Sequence, residues 1–589
     1  QDEALKLYYD VVARSIERRN GLSGLSRQMS PYLDMLVARM GTDPAASGDF
    51  LAASQIIVRP GVAETQAVLS RELSAGSDDA ARLFRQSVSL GRSIERARMQ
   101  FAALQRLEDA ASRKDEIAQA QQMIQDLEAQ EQTTVVQLAA FARYRVVSQR
   151  AIPEAELKAG LAPGEAYVKM AALGPDVFVY FAAKDKAVAY RVPMTGGEIQ
   201  AAVARMRDSI SKFDGRQYVT NPLAVKDARG VYRALFDPVA ADMTSVHHLI
   251  FEPDGALLSL PANLLITDDA SLAAYQKQAD NPAGDPFDMR GVAWLGRDRI
   301  VSTSVSARSF MESRKQPLSK AHSAYLGLGH NATVSGAGAI QVARMRGMEA
   351  EMDRSGCDWP LAAWNRPISQ EELVSAQKVL RNEGTDLMIG AAFSDTAIKA
   401  RRDLADFRIL HFATHGLVTP PREDCPTRPA LLTSFGPAGS DGLLSFSEIF
   451  DLKLDADLVI LSACDTAGQA DISVTRETGL ATGGGSALEG LVRAFTGAGG
   501  RAVLASHWPA PDDFMATTRL IGGLFEAVPG ESSGEALLKA QRKLMDDVDT
   551  SHPYYWAGFA VIGDAARPLL RDTMPAAGAG SGTAAGRVR

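Results

Sequence analysis

Two stretches decide how this chain folds: Arg408-Ile409-Leu410-His411-Phe412-Ala413-Thr414-His415-Gly416 and Leu458-Val459-Ile460-Leu461-Ser462-Ala463-Cys464-Asp465-Thr466. Each begins with a short run rich in Ile, Leu, Val and Phe and ends in small or polar residues, so both read as buried parallel strands. One ends in a histidine followed by glycine, the other in a cysteine. In a parallel sheet both ends emerge on one edge, where α/β folds place their sites. A thiol is a good nucleophile as thiolate, and a nearby imidazole generates or stabilises that form. His415 and Cys464 are therefore the candidate catalytic pair. Gly416, without a Cβ, lets the backbone bend sharply and lie close to a scissile carbonyl. Its N–H and that of Cys464 are the candidate oxyanion hole. His411 shares a strand face with His415 at period two and reads as structural.

Outward from these strands the pattern is α/β. Tyr325-Leu326-Gly327-Leu328-Gly329, Arg501-Ala502-Val503-Leu504-Ala505-Ser506 and Gly558-Phe559-Ala560-Val561-Ile562-Gly563 are further strands, the last expected to close the sheet. A polar helical stretch around Glu349, Glu351 and Met352 and helices over 513–527 and 533–547 fall between them. The alternation predicts a doubly wound, mostly parallel sheet flanked by helices over 241–566. Residues 151–240 read as a small antiparallel β-meander and linker, with turns at Gly174-Pro175 and Lys184-Asp185. Residues 267–296 read as a long polar loop. Residues 1–150 carry helical spacing, with breaks at Pro60-Gly61 and Gly76. Ile117, Ala120, Ile124 and Leu127 suggest a helical hairpin or short coiled coil, and degenerate helical repeats fit the same region. Residues 567–589 are Gly- and Ala-rich and read as a disordered tail.

Composition narrows the function. At 589 residues the chain holds roughly two to four domains. A net charge of −8 argues against a nucleic-acid partner. No apolar run reaches the ~18 residues of a membrane span. The first residue is not Met, which suggests a processed or trimmed product. The three cysteines, Cys357, Cys425 and Cys464, lack zinc-ligand spacing and are an odd number, so neither a metal site nor a disulfide framework is expected. A reducing, cytoplasmic compartment is favoured. No Walker A, His-Glu-x-x-His or Gly-x-Ser-x-Gly sequence occurs, and no cofactor is called for.

From about Val246 to Gly563 the chain resembles the CHAT-domain proteins, caspase-like cysteine peptidases related to the separases. Ile409 to Gly416 and Val459 to Gly468 carry the resemblance most specifically. Supporting stretches are Phe251-Glu252-Pro253-Asp254-Gly255, Asp441 to Ile449, Glu489 to Phe495 and His552 to Phe559. The 49 positions between His415 and Cys464 match the caspase separation of about 50. The resemblance implies a caspase-like fold and a His/Cys dyad on these two residues. It also implies that Ser506 hydrogen-bonds an extended peptide and that Trp508 walls a side-chain pocket. Asp512 and Asp513 are candidates to pair with a basic P1 side chain, with Asp465 the weaker one; Asp513 alternatively caps the helix that follows. The loop 470–485 reads as a flap beside the site. The expected activity is hydrolysis of peptide bonds in a protein partner, regulated by a protein bound to the N-terminal helices. The alternative is a catalytically silent CHAT-fold scaffold.

Overall fold

The computed structural model describes residues 2–18, 26–57, 79–105, 113–138, 151–210, 212–213, 218–334, 361–380, 384–417, 430–436, 440–462, 483–508, 511 and 513–571. Cys357, Cys425, Cys464, Asp465, Asp512, the breaks at 60–61 and 76, the stretch around Glu349 and most of the loop 470–485 lie outside them.

The N-terminal region is helical, as its spacing predicts, with helices Asp2–Arg18, Ser30–Val37, Ala46–Ile56, Asp79–Gln105 and Lys114–Leu138. The last two pack on each other. Tyr32, Leu33, Phe50 and Leu51 of the second and third are buried with Phe178 and Tyr180 of the meander, and the Phe50 ring stacks on Tyr180 at 6.3 Å.

Sixteen strands follow among the described residues. The meander is β1 (Glu165–Leu173), β2 (Asp176–Ala183) and β3 (Ala187–Arg191), and β4 (Lys212–Phe213) and β5 (Tyr218–Val219) form a short ribbon. Next come β6 (His248–Glu252), β7 (Ile300–Thr303), β8 (Ser323–Asn331), β9 (Thr385–Gly390) and β10 (Phe407–Ala413). A small sheet contains β11 (Gly416–Leu417), β12 (Ala430–Leu432) and β13 (Leu443–Ser445). The chain ends with β14 (Leu458–Leu461), β15 (Ala502–Ser506) and β16 (Phe559–Gly563).

Eleven of these make one sheet in the order β3-β2-β1-β6-β7-β16-β15-β14-β10-β8-β9. From β1 to β16 neighbours run parallel, as they do from β15 to β9, and the two blocks meet antiparallel at β15 and β16. The fold class is thus the predicted mostly parallel sheet between helices, with details the sequence did not disclose. The meander joins the main sheet, Glu165 pairing beside His248. β16 sits inside the sheet instead of closing it. Its residues are buried on both faces, so nothing in their pattern marks direction or order. β7 and β9 are short and partly exposed, with no continuous apolar run to betray them. The expected loop at 267–296 contains a helix, Asp269–Ala279, capped by Asp268, which accepts from the Ser271 N–H at 2.7 Å. That helix buries Tyr275 alone, so no apolar stripe announced it. At the C-terminus, the Leu569 N–H still donates to the Glu531 carbonyl.

Buried polar pairs reinforce the junction of β1 and β6. Glu165 accepts from Arg314 and bonds His248 Nδ1 at 3.0 Å, while Arg314 also holds Asp564 at 2.6 Å. Glu252 takes Lys169 and the Tyr167 hydroxyl, and the Ala172 N–H donates to Asp254 at 2.9 Å. Such groups are tolerated inside because each charge meets its partner.

Candidate active site

β10 and β14 lie side by side and parallel, pairing Ile409 with Leu458 and Phe412 with Leu461. Every pair is offset by 49 positions, which is also the separation of His415 from Cys464. The pairing continues one step past the strand, where the Ser462 N–H donates to the Phe412 carbonyl at 3.0 Å. Both segments therefore leave the sheet at one edge. Cys464 follows Ser462 by two residues and lies outside the described residues.

After β10 the chain bends at Thr414 and enters β11. The Thr414 hydroxyl donates to the Leu432 carbonyl, and the Leu432 N–H donates to the His415 carbonyl at 2.9 Å. These bonds fix the backbone of His415 from β12. Gly416 takes strand geometry, paired with Leu431, and has no positive φ, so the sharp bend expected of it is absent. The bend falls one residue earlier than His415, and Gly416 continues into a ladder.

The His415 ring is buried, and its Nε2 meets the Arg366 carbonyl. A carbonyl only accepts, so Nε2 donates and carries the proton; in the neutral ring Nδ1 is then the basic nitrogen. Burial pushes the imidazole below its ordinary range, the Arg366 charge adds to this, and the bond to the Arg366 carbonyl partly opposes it. The segment presenting that carbonyl is anchored by Trp364. Its fully buried indole donates to the Thr433 carbonyl at 2.8 Å, and its own carbonyl accepts from Asn331 at 2.9 Å. Trp364, Leu417 and Leu432 form a small apolar core under the site.

Sequence reasoning missed Arg366 because its contribution is a main-chain oxygen, which any residue type offers. A Trp at 364 was the available signal, since a large buried aromatic in an irregular segment marks an anchor.

The other predicted residues fall at the end of β15. Ser506 is buried, and its hydroxyl donates to the Trp508 carbonyl at 2.7 Å. Trp508 is 1% exposed and donates from its indole to the Tyr554 carbonyl at 2.9 Å. Asp513 is exposed and begins the short turn Asp513–Met515. It does not cap the next helix, Ala516–Leu524, whose N-cap position is the left-handed Met515, without a side-chain bond. Among the described residues no group of three His, Cys, Asp or Glu is placed to hold a metal ion, and no helix is long and apolar enough to cross a membrane.

Comparison with known proteins adds a family. Tetratricopeptide repeat protein 28 of Mus musculus is 32% identical over 123 residues, and that of Homo sapiens 31% over 122. Each alignment covers 20% of this chain, which spans about 4% of the length of these relatives. Among solved structures, a chain of the Saccharomyces cerevisiae separase–securin complex is 10% identical, with 94% of this chain and 42% of that chain covered and a TM-score of 0.33. The Arg-specific cysteine proteinase gingipain R is 9% identical, with 64% and 74% covered and a TM-score of 0.30. The model of the CHAT domain matches residues 225–564, more than half the chain and the whole of β6 to β16, so this protein belongs to the CHAT domain family.

Proposed function

We propose that the protein is a cysteine endopeptidase that cleaves a protein partner through His415 and Cys464. The observation that carries this reading is the shared 49-residue offset, which brings the exits of β10 and β14 together at one edge. The orientation of His415 supports it, since the Arg366 carbonyl leaves Nδ1 as the base. In the proposed reaction Nδ1 takes the Cys464 proton and the thiolate attacks the peptide carbonyl. The Gly416 and Cys464 N–H groups stabilise the oxyanion. The imidazolium protonates the leaving amine, and water releases the acyl-enzyme. A basic P1 side chain pairs with Asp512 or Asp513, with Asp465 as a further carboxylate. Ser506 and Trp508, both buried, brace the neighbouring end of β15 from behind, and the N-terminal helices receive a regulatory protein.

The test is cleavage of arginyl and aspartyl peptide reporters by the wild-type chain, Cys464→Ala and His415→Ala. The expected result is arginyl cleavage lost in Cys464→Ala and reduced about 10²–10⁴-fold in His415→Ala. Cleavage that survives Cys464→Ala would remove the nucleophile. No cleavage of any reporter or candidate partner, with the N-terminal region engaged or not, would leave the scaffold reading.

A further inference from the structure

Across β8, β10 and the exit of β14 lies a polar chain that the mechanism above does not use. His411 is 0% exposed, in the middle of β10, on the face it shares with Ile409. Both ring nitrogens are engaged. Nδ1 lies 2.9 Å from the Tyr325 hydroxyl on β8, and Nε2 lies 3.1 Å from Ser462 Oγ at the end of β14. Glu372 Oε2, from the helix Glu371–Leu380 packed over this face, lies 3.8 Å from Nε2. That acceptor favours the proton on Nε2, so Tyr325 donates to Nδ1 and His411 donates to Ser462. Burial pushes the imidazole down to about 3, which favours the neutral ring, and both of its nitrogens are held by hydrogen bonds.

Space for this chain is made deliberately. The residue of β8 beside His411 is Gly327, and a Cβ there would stand 3.2 Å from the Tyr325 hydroxyl and 2.5 Å from Leu387. The Tyr325 ring is also held edge-on by Phe525 at 5.7 Å. Ser462 is thus gripped twice by β10. Its N–H donates to the Phe412 carbonyl, and its hydroxyl meets the His411 ring. Ordinary core histidines touch whatever surrounds them. This one touches the residue two positions before Cys464.

We propose that His411 is a positioning residue: through Ser462 it fixes the exit of β14, two residues before the proposed nucleophile, and so sets the reactivity of Cys464. The inference rests on the peptidase reading of those two residues. Loss of the Ser462 bond frees the exit of β14 without touching either reacting group. The Cys464 thiol then reacts more like an isolated one.

The measurement is the pH dependence of iodoacetamide alkylation at Cys464, resolved from Cys357 and Cys425 by mass spectrometry of the full-length chain. Wild type is compared with Ser462→Ala, His411→Gln and His411→Phe, with thermal melting to confirm folding. The expected result is a depressed wild-type midpoint that rises in Ser462→Ala and His411→Phe. At neutral pH alkylation slows about tenfold, and His411→Gln, which keeps a donor, recovers part of it. Ser462→Ala, the mildest change, carries the test if His411→Phe fails to fold. A depressed wild-type midpoint unchanged in folded Ser462→Ala and His411→Gln would overturn the positioning role and leave the dyad standing. A wild-type midpoint equal to that of an ordinary thiol would overturn both.

Discussion

His415 owes its tautomer to a main-chain oxygen. Because the Arg366 carbonyl can only accept, the ring proton is pinned to Nε2, and burial keeps the ring neutral below the ordinary imidazole value of 6.5. A base with a lowered pKa remains competent to lower pH. The acid limb of kcat/KM should therefore fall below 6.5, read from a pH–rate profile on an arginyl reporter. At this scale the candidates for a nucleophile and a base were legible because chemistry restricts their type: few residues other than His and Cys suit such strand ends. The groups around His415 and at the exit of β14 were not. The Arg366 carbonyl carries no residue signature, and the hydroxyl of Ser462 gains meaning only when His411 of the next strand lies 3.1 Å away. The same limit applied to Ser506 and Trp508, whose polar atoms the structure engages internally.

Elements were legible where burial was uniform or alternation clean, and illegible where order in space was at issue. β10, β14 and β15 stand out as apolar runs, yet nothing in β16 says that it lies between β15 and β7 or that it reverses the sheet. The meander showed its own hairpins, but its attachment to β6 depends on pairs 83 to 85 residues apart. Arg314 anchors that attachment by gripping Glu165 and Asp564 together: burial would lower its guanidinium, but the bonds to both carboxylates outweigh it and hold the group above its ordinary range. Arg314→Met should cost about 3–5 kcal/mol in urea unfolding, since it strands two buried carboxylates. A loss below ~1 kcal/mol would mean that solvent reaches the network.

The whole molecule stores several groups in a neutral state that acid will charge. Burial lowers His411 to about 3 and His507 and His552 to about 4. Below 6.5 the unfolded chain binds protons that the folded chain refuses, so stability is full above that value and is lost as pH falls toward 4. Each buried histidine removes up to about 1.4 kcal/mol per pH unit over that window. Glu165, lowered to about 2 chiefly by its bonds to His248 and Arg314 against the opposing effect of burial, extends the loss below its ordinary value of 4.5. Thermal melting should hold a level midpoint from pH 7.5 to about 6.5 and then fall continuously to pH 4.5. A different consequence follows from the joining of β1 to β6. The family match begins at residue 225, but β6 is completed by a strand that starts at Glu165. A chain cut to 225–564 would present the raw side of β6 to solvent, with Glu252 deprived of Lys169 and His248 of Glu165. Such a fragment should aggregate, whereas one beginning at residue 2 keeps that strand covered, retains the helices that bury Phe178 and Tyr180, and should stay monodisperse in light scattering.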